Sequence, residues 1–436
     1  MRIRIAILLA FALLMVGAAS ITSTPPSREF VESVATFVCP ARNGDSSGVI
    51  YLGNKGAKSA LIDKKNRALK GGKERSILIS DRSRVVAGDA ATPILLASKS
   101  SEWIGLTQCT ASSGEFWFVG GAADVSSLGY FQFTNENLGK AIIDIEMWSE
   151  DGSESTRTLT IPPRSTKNYS LTTFLPGKKR TAFHLISRSG LVSATLFDQR
   201  RQGLTLFGGD FVSASTAPSN EVIMAGVPGP KFVKRSKLSS QKIRLFVPGE
   251  TDAIVQVTYI SPSGVFAPIG LDSIRVPAQK VVEVDLSGLP NERLFSLRLK
   301  GTEPLIASTI TRGSFANQRE LLWSNSTQPT QGEQIVLPER TGYLSILTEA
   351  PKVRFTAIGA GGKRSNITLD VDSMAIWKVP NTVRLIQMST GAKPIYLAFT
   401  MQSVSGVATT SLASAQSKER TALPVVDSSL YIPLLR

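Results

Sequence analysis

The sequence predicts an all-β protein, built from tandem antiparallel β-sandwich units of the immunoglobulin or fibronectin kind after an N-terminal signal or anchor helix. Three observations predict it. From Gly114 onward the apolar runs are short, rich in Val, Ile, Phe and Thr, and bounded by Gly, Pro, Ser or Asp. No long segment repeats its apolar positions at the helical period. The runs also recur in the same order in three successive stretches, as repeated supersecondary units do.

Residues 1–23 carry the three-part layout of a secretory signal. Arg2 and Arg4 precede an apolar run from Ile5 to Ala19, and small residues follow at Gly17, Ala18, Ala19 and Ser20. Extended from Ile3 to Ile21, the run is a marginal membrane span. The expected location is therefore extracytoplasmic, secreted or held to the membrane by this segment. No cysteine follows the run directly, which argues against a lipid anchor, and Leu430–Arg436 offers no apolar tail.

Residues 24–113 read as an N-terminal β segment closed by a disulfide. Its strands are expected at Val49–Leu52, Ser76–Ile79 and Pro93–Leu96. Cys39 and Cys109 are the only cysteines, and there is one histidine, so no metal-ligand spacing exists. In an oxidising compartment the two cysteines can pair, worth about 3–4 kcal/mol in the chain-entropy picture. Between Lys55 and Arg84 ten basic residues face three acidic ones.

Unit 1 spans residues 114–226. Its strands are expected at Phe116–Val119, Gly129–Phe133, Ile142–Trp148, Thr156–Ile161, Thr166–Leu171, Thr181–Ser187 and Leu191–Phe197, with turns at Asp151-Gly152 and Ser189-Gly190. Unit 2, residues 227–328, repeats this order, with Val222–Ala225 just ahead of it. Ile243–Val247, Ile254–Ile260, Asp272–Val276, Lys280–Leu286, Phe295–Leu299 and Leu305–Ile310 follow. In Lys280–Leu286, Val282, Val284 and Leu286 face one side while Glu283 and Asp285 face the other, the alternation of a half-buried strand. Unit 3, residues 329–412, is more degenerate, and residues 413–436 form a Ser- and Ala-rich tail.

The chain has 436 residues, 42% hydrophobic and 19% charged, with a net charge of +15 and a pI near 9.9. So basic a chain favours polyanionic partners. The export signal disfavours nucleic acid, leaving an anionic wall polymer, an anionic lipid surface or an envelope protein. The densest basic segment lies between units 1 and 2. There Lys231, Lys234, Arg235, Lys237, Lys242 and Arg244 are candidate polyanion contacts.

Catalytic signals are weak. His184 is flanked by Phe183 and Leu185, so alternation turns it away from them toward solvent, and no nucleophile motif surrounds it. Glu146, Glu150, Asp151 and Glu154 cluster at one hairpin, a possible carboxylate pair for glycoside hydrolysis. Gly359–Gly362, followed by Lys363 and Arg364, imitates a phosphate cradle but lacks a helix after it. Trp117, between Phe116 and Phe118, is expected to pack against the disulfide and the core, with an aromatic platform for carbohydrate as the alternative. Sequons occur at Asn168, Asn325 and Asn366. No metal site and no cofactor site is expected.

The segment Leu106–Cys109, then Phe116–Ala122 and Gly129–Asn135, resembles an actinobacterial cell-envelope family known as domain of unknown function 5719. Cys39-Pro40 and the Ile161–Pro163 step before Tyr169–Leu171 also fit. The resemblance spans residues 39–310 and implies a secreted or membrane-anchored envelope protein, without catalytic residues to carry over. The expected function is thus a non-catalytic exported protein that binds or scaffolds another envelope component. The alternative is a carbohydrate-active or peptidoglycan-processing enzyme using the acidic hairpin.

Overall fold

Alternation of apolar and polar side chains turns these runs into half-buried sheets. In Ala141–Ser149, Ala141, Ile143, Ile145 and Met147 are buried, while Ile142, Asp144 and Glu146 between them are partly exposed. Ser153–Ile161 and Thr181–Ser189 flank it antiparallel and satisfy its backbone. Gly152, in the turn to the first partner, adopts a φ of 132° that a side chain would resist.

The computed structural model describes residues 36–413, apart from 54–55, 64–69, 72–74, 88–90, 101, 233–236, 287, 316–317, 331–333, 390, 392 and 405. All of these belong to one compact unit, Ala35–Ala415. The expected N-terminal signal or anchor helix and nearly all of the expected tail lie outside the described residues. Among the described residues no helix is long and apolar enough to cross a membrane.

The fold is all-β. Among the described residues, strands pair antiparallel in seven sheets, six of four or five strands and one of eight. Each repeat stacks two sheets. In unit 1 one sheet runs Ser165–Ser170, Tyr130–Asn135, Ser193–Gln202, Thr205–Val212. The other runs Ser153–Ile161, Ala141–Ser149, Thr181–Ser189, Glu115–Val119. Phe118, Phe131, Phe133, Ile145, Phe183 and Leu196 fill the space between them. In unit 2 the strand Leu294–Phe315 passes from one sheet into the other, which fuses the pair into the eight-stranded sheet.

The N-terminal segment has the same build, so the described residues hold four repeats. One of its sheets is Thr36–Cys39, Arg84–Ala87, Lys58–Leu61, Lys70–Gly71. The other is Ser76–Leu78, Ser47–Tyr51, Ile94–Lys99, Trp103–Gln108. Cys39 and Cys109 are bonded, with Cα atoms 4.5 Å apart and a separation of 70 in sequence. Trp103 and Phe197 share their apolar cluster.

Each repeat ends in a hairpin whose second strand lies innermost: Trp103–Gln108, Thr205–Val212, Gln318–Asn325 and Gly406–Leu412. These four inner strands pack on one another in a closed circuit. Their close approaches keep one order. Gly105 backs onto Asp210 and Phe211, and Thr110 beyond it meets Ser193 at 2.5 Å. Gly208 lies against Glu320 and Leu321, and two residues on, Asp210 accepts the Trp323 N–H. Gly406 faces the Glu320 side chain, and Gln108 exchanges two hydrogen bonds with the Ala413 backbone. An advance along one strand is an advance along the next, so all four run parallel. The four turns that lead into them therefore share one end of the circuit, called here the turn end. Thr36, bonded to Glu136, and Ala413 lie at the other.

Apolar clusters join neighbours all round. Phe197 and Phe211 of unit 1 pack with Trp103 of the N-terminal repeat. Trp117 and Trp148 of unit 1 pack with Phe246 and Ile306 of unit 2. Phe315 and Leu322 of unit 2 pack with Leu347 and Val407 of unit 3. Leu397 and Leu412 of unit 3 pack with Ile94 and Leu106 of the N-terminal repeat, closing the ring.

Candidate binding surface

The residues with catalytic potential are held by structural partners. Phe183 and Leu185 enter the core, so His184 faces the opposite side of its strand. That side is not open solvent. The ring stacks on Trp117 with centroids 3.7 Å apart, and Trp148 and Phe246 extend the stack across to unit 2. His184 Nδ1 lies 2.9 Å from Glu146 Oε2 and Nε2 lies 2.8 Å from Glu115 Oε1, so both nitrogens are engaged. Hydrogen bonds from His184 and the Trp117 indole hold the Glu115 carboxyl below its ordinary range. The expectation that Trp117 packs on the disulfide is corrected: Trp103 has that place, because Trp117 points to the outer face of its sheet.

The acidic hairpin is equally occupied. Glu150 accepts the backbone N–H groups of Lys179 and Arg180, each at 2.9 Å. Asp151 and Glu154 grip Lys178 at 2.7 and 2.8 Å, which lowers both carboxyls and raises the ammonium. Each carboxylate thus serves the hairpin rather than flanking a cleft with another. The Gly359–Gly362 turn joins two antiparallel strands through a single 3-10 turn, Ala360–Gly362. Of the sequons, Asn168 and Asn366 are exposed on edge strands and Asn325 is buried.

Charge also enters the interior where units 1 and 2 meet. Asp198 takes Arg200 Nε at 2.8 Å and the Trp323 indole at 3.1 Å. Asp210 takes the backbone N–H groups of Phe211 and Trp323. Arg244, expected to contact a polyanion, is 1% exposed and lies in this interior. Its guanidinium bonds the Gly121 and Lys179 carbonyls and Glu283, and sits over the Trp323 ring. Strand alternation decides this: Ile243 and Arg244 are both buried because unit 1 covers the second face of their sheet. Burial lowers the Arg244 pKa, and Glu283 opposes that shift.

The other basic candidates divide. Lys242 is half-buried, 3.8 Å from Asp285 and 4.0 Å from Glu283. Lys234 and Arg235 lie outside the described residues. Lys231 and Lys237 are exposed at the turn end: Lys237 pairs with Ser314, beside the turn of unit 2, and Phe232 packs with Phe315 and Val407. Of the Lys55–Arg84 stretch, Lys58 and Lys70 are exposed and Arg82 holds Asp63.

Two further cations, not singled out from sequence, share that end. Arg201 is exposed at the turn of unit 1 and Arg319 at that of unit 2. Among the described residues Arg201, Lys231, Lys237 and Arg319 have no carboxylate partner. Of the neighbouring acids, Asp45 and Glu102 are held by Lys99, Asp124 by Arg200 and Ser126, and Glu292 by Ser263, while Glu320 is buried in the interior. Apolar side chains stand out beside these cations. Leu204 is fully exposed, Val404 is 93% exposed and Val125 is 88% exposed. The signal that could have grouped them is positional, since each lies at or beside a turn feeding an inner strand.

A family model described as Family of unknown function (DUF5719) matches residues 104–376. No curated protein matches. Among solved structures the chain is similar to a Thermotoga maritima protein, 1070, at 14% identity, 26% coverage of this chain and 95% of that one, with a TM-score of 0.21. It is also similar to a tetra-tandem repeat in the extending region of a large adhesion protein, at 11% identity, 88% and 96% coverage, with a TM-score of 0.12.

Proposed function

We infer that this chain, which belongs to the DUF5719 family of unknown function, is a non-catalytic exported protein that binds or scaffolds another component of the cell envelope. The carrying observation is the turn end, where four exposed cations lack carboxylate partners among the described residues, while the nearby acids are engaged or buried. Free cations at one end attract an anionic partner over a Debye length of about 10 Å. Export is carried by the N-terminal apolar run, and the Cys39–Cys109 bond suits an oxidising compartment. The engagement of Glu146, Glu150, Asp151 and Glu154 favours this reading over the carbohydrate-active one.

Crosslinking in cells, followed by recovery of the protein from envelopes at low and high salt, tests it. Partners should leave as salt rises. Recovery of the chain from the cytoplasm, or free of any envelope component, would reject the reading. Glu146→Gln and Glu150→Gln should leave envelope association unchanged; a hydrolytic activity lost in both variants would restore the enzyme reading.

A further inference from the structure

We propose that the turn end docks onto an anionic lipid bilayer, an inference that rests on the exported, envelope-binding reading above. Two kinds of side chain meet there. Arg201, Lys231, Lys237 and Arg319 are exposed and have no carboxylate partner among the described residues. Leu204, Val404 and Val125 project beside them, 100%, 93% and 88% exposed.

The apolar side chains decide the class of partner. A hydrated wall polymer would satisfy the cations but would offer Leu204 and Val404 only more water. A bilayer surface has anionic headgroups at one depth and acyl chains just below, and so receives both. The parallel inner strands bring these residues together, since their turns project from the same end. Leu204 and Val404 sit at the tips of the hairpins of units 1 and 3, and Lys237 and Arg319 flank that of unit 2.

The test is cosedimentation of the full chain with phosphatidylglycerol–phosphatidylcholine vesicles and with phosphatidylcholine vesicles. A charge variant (Arg201→Glu, Lys231→Glu, Lys237→Glu) and an apolar variant (Leu204→Asp, Val404→Asp) are compared with the parent. All three share the N-terminal run, so a difference between them reports the turn end. The charge variant should bind anionic vesicles about a hundredfold or more weakly, since each of its three lost cations is worth about fivefold near an anionic surface. The apolar variant should lose binding too, most visibly at 0.5 M salt as a chosen condition, where screening leaves apolar insertion dominant.

Equal binding by all three proteins overturns the proposal. Loss in the charge variant alone, with displacement by soluble polyglutamate, assigns the surface to a hydrated polyanion; the lipid proposal then falls and the envelope-binding reading stands. If either variant fails to fold, Leu204→Cys carrying an environment-sensitive dye replaces it. Its emission should shift to the blue on anionic vesicles, whereas the same dye at Leu138→Cys, near the other end, should not shift. No shift at Leu204 rejects the proposal.

Discussion

Glu320 places both carboxylate oxygens in the interior without a hydrogen-bond donor among the described residues. Burial pushes its pKa well above the ordinary 4.5, and the nearby Asp210 carboxylate adds to the shift. Burial likewise raises Asp210, although two backbone N–H groups pull it back. A carboxyl whose folded pKa is raised favours the fold fully below its unfolded value. That contribution is lost as pH rises through the folded value. Stability should therefore be higher at pH 5 than at pH 8. Glu320→Gln should stabilise the protein by about 2 kcal/mol at pH 8 and by less at pH 5, read from urea unfolding at both. An equal change at the two pH values would show that Glu320 does not titrate in this range. The same scale explains why Arg244 misled as a surface candidate. Its sequence neighbours Lys242 and Lys237 are at least partly exposed, and only the covering of its second face by unit 1 made it a buried ligand of Glu283.

At the scale of elements, the inner strands matter most and were the least legible. Thr205–Val212 reads TLFGGDFV, Gln318–Asn325 reads QRELLWSN, and Gly406–Leu412 reads GVATTSL. None has clean alternation, because each is buried by other repeats as well as by its own sheet. The outer strands, with one face on a local core, showed the expected period. Gly208 lies at a close approach of two inner strands, with φ at 109°. A Cβ there would fall 2.6 Å from the Leu321 backbone nitrogen, which cannot step aside as a side-chain tip could. Gly208→Ala should cost about 3 kcal/mol in denaturant unfolding. Gly203→Ala, at an open turn with nothing within 4 Å, should cost about 1 kcal/mol from its positive φ alone. Similar losses at the two positions would count against the close packing of the inner strands.

At the scale of the whole molecule, each repeat shares an apolar cluster with both neighbours. Loss of one repeat uncovers two faces. The described repeats should therefore unfold in one calorimetric transition, and resolved transitions for separate repeats would contradict a closed ring. The Cys39–Cys109 bond ties the start of the first repeat to the end of its inner strand. Cys39→Ser with Cys109→Ser should lower stability by about 3–4 kcal/mol, measured in the same denaturant assay. An unchanged midpoint would mean that residual order in the unfolded chain already restricts that loop without the bond.

By itself the sequence determined the strand content, the repeated order and the cysteine pair. All three follow from local signals: alternation, turn residues and a count of two. It also marked Lys231 and Lys237, whose exposure needed only a polar stretch between two apolar runs. The tertiary structure alone decided that the N-terminal segment is a fourth repeat, that the repeats close on one another, and that Arg244 turns inward. It alone gathered Arg201, Arg319, Leu204 and Val404 at one end. These depend on contacts between residues up to about three hundred positions apart, such as Gln108 with Ala413. Such contacts leave no period in the chain, because what buries each strand is another repeat and not its neighbour in sequence.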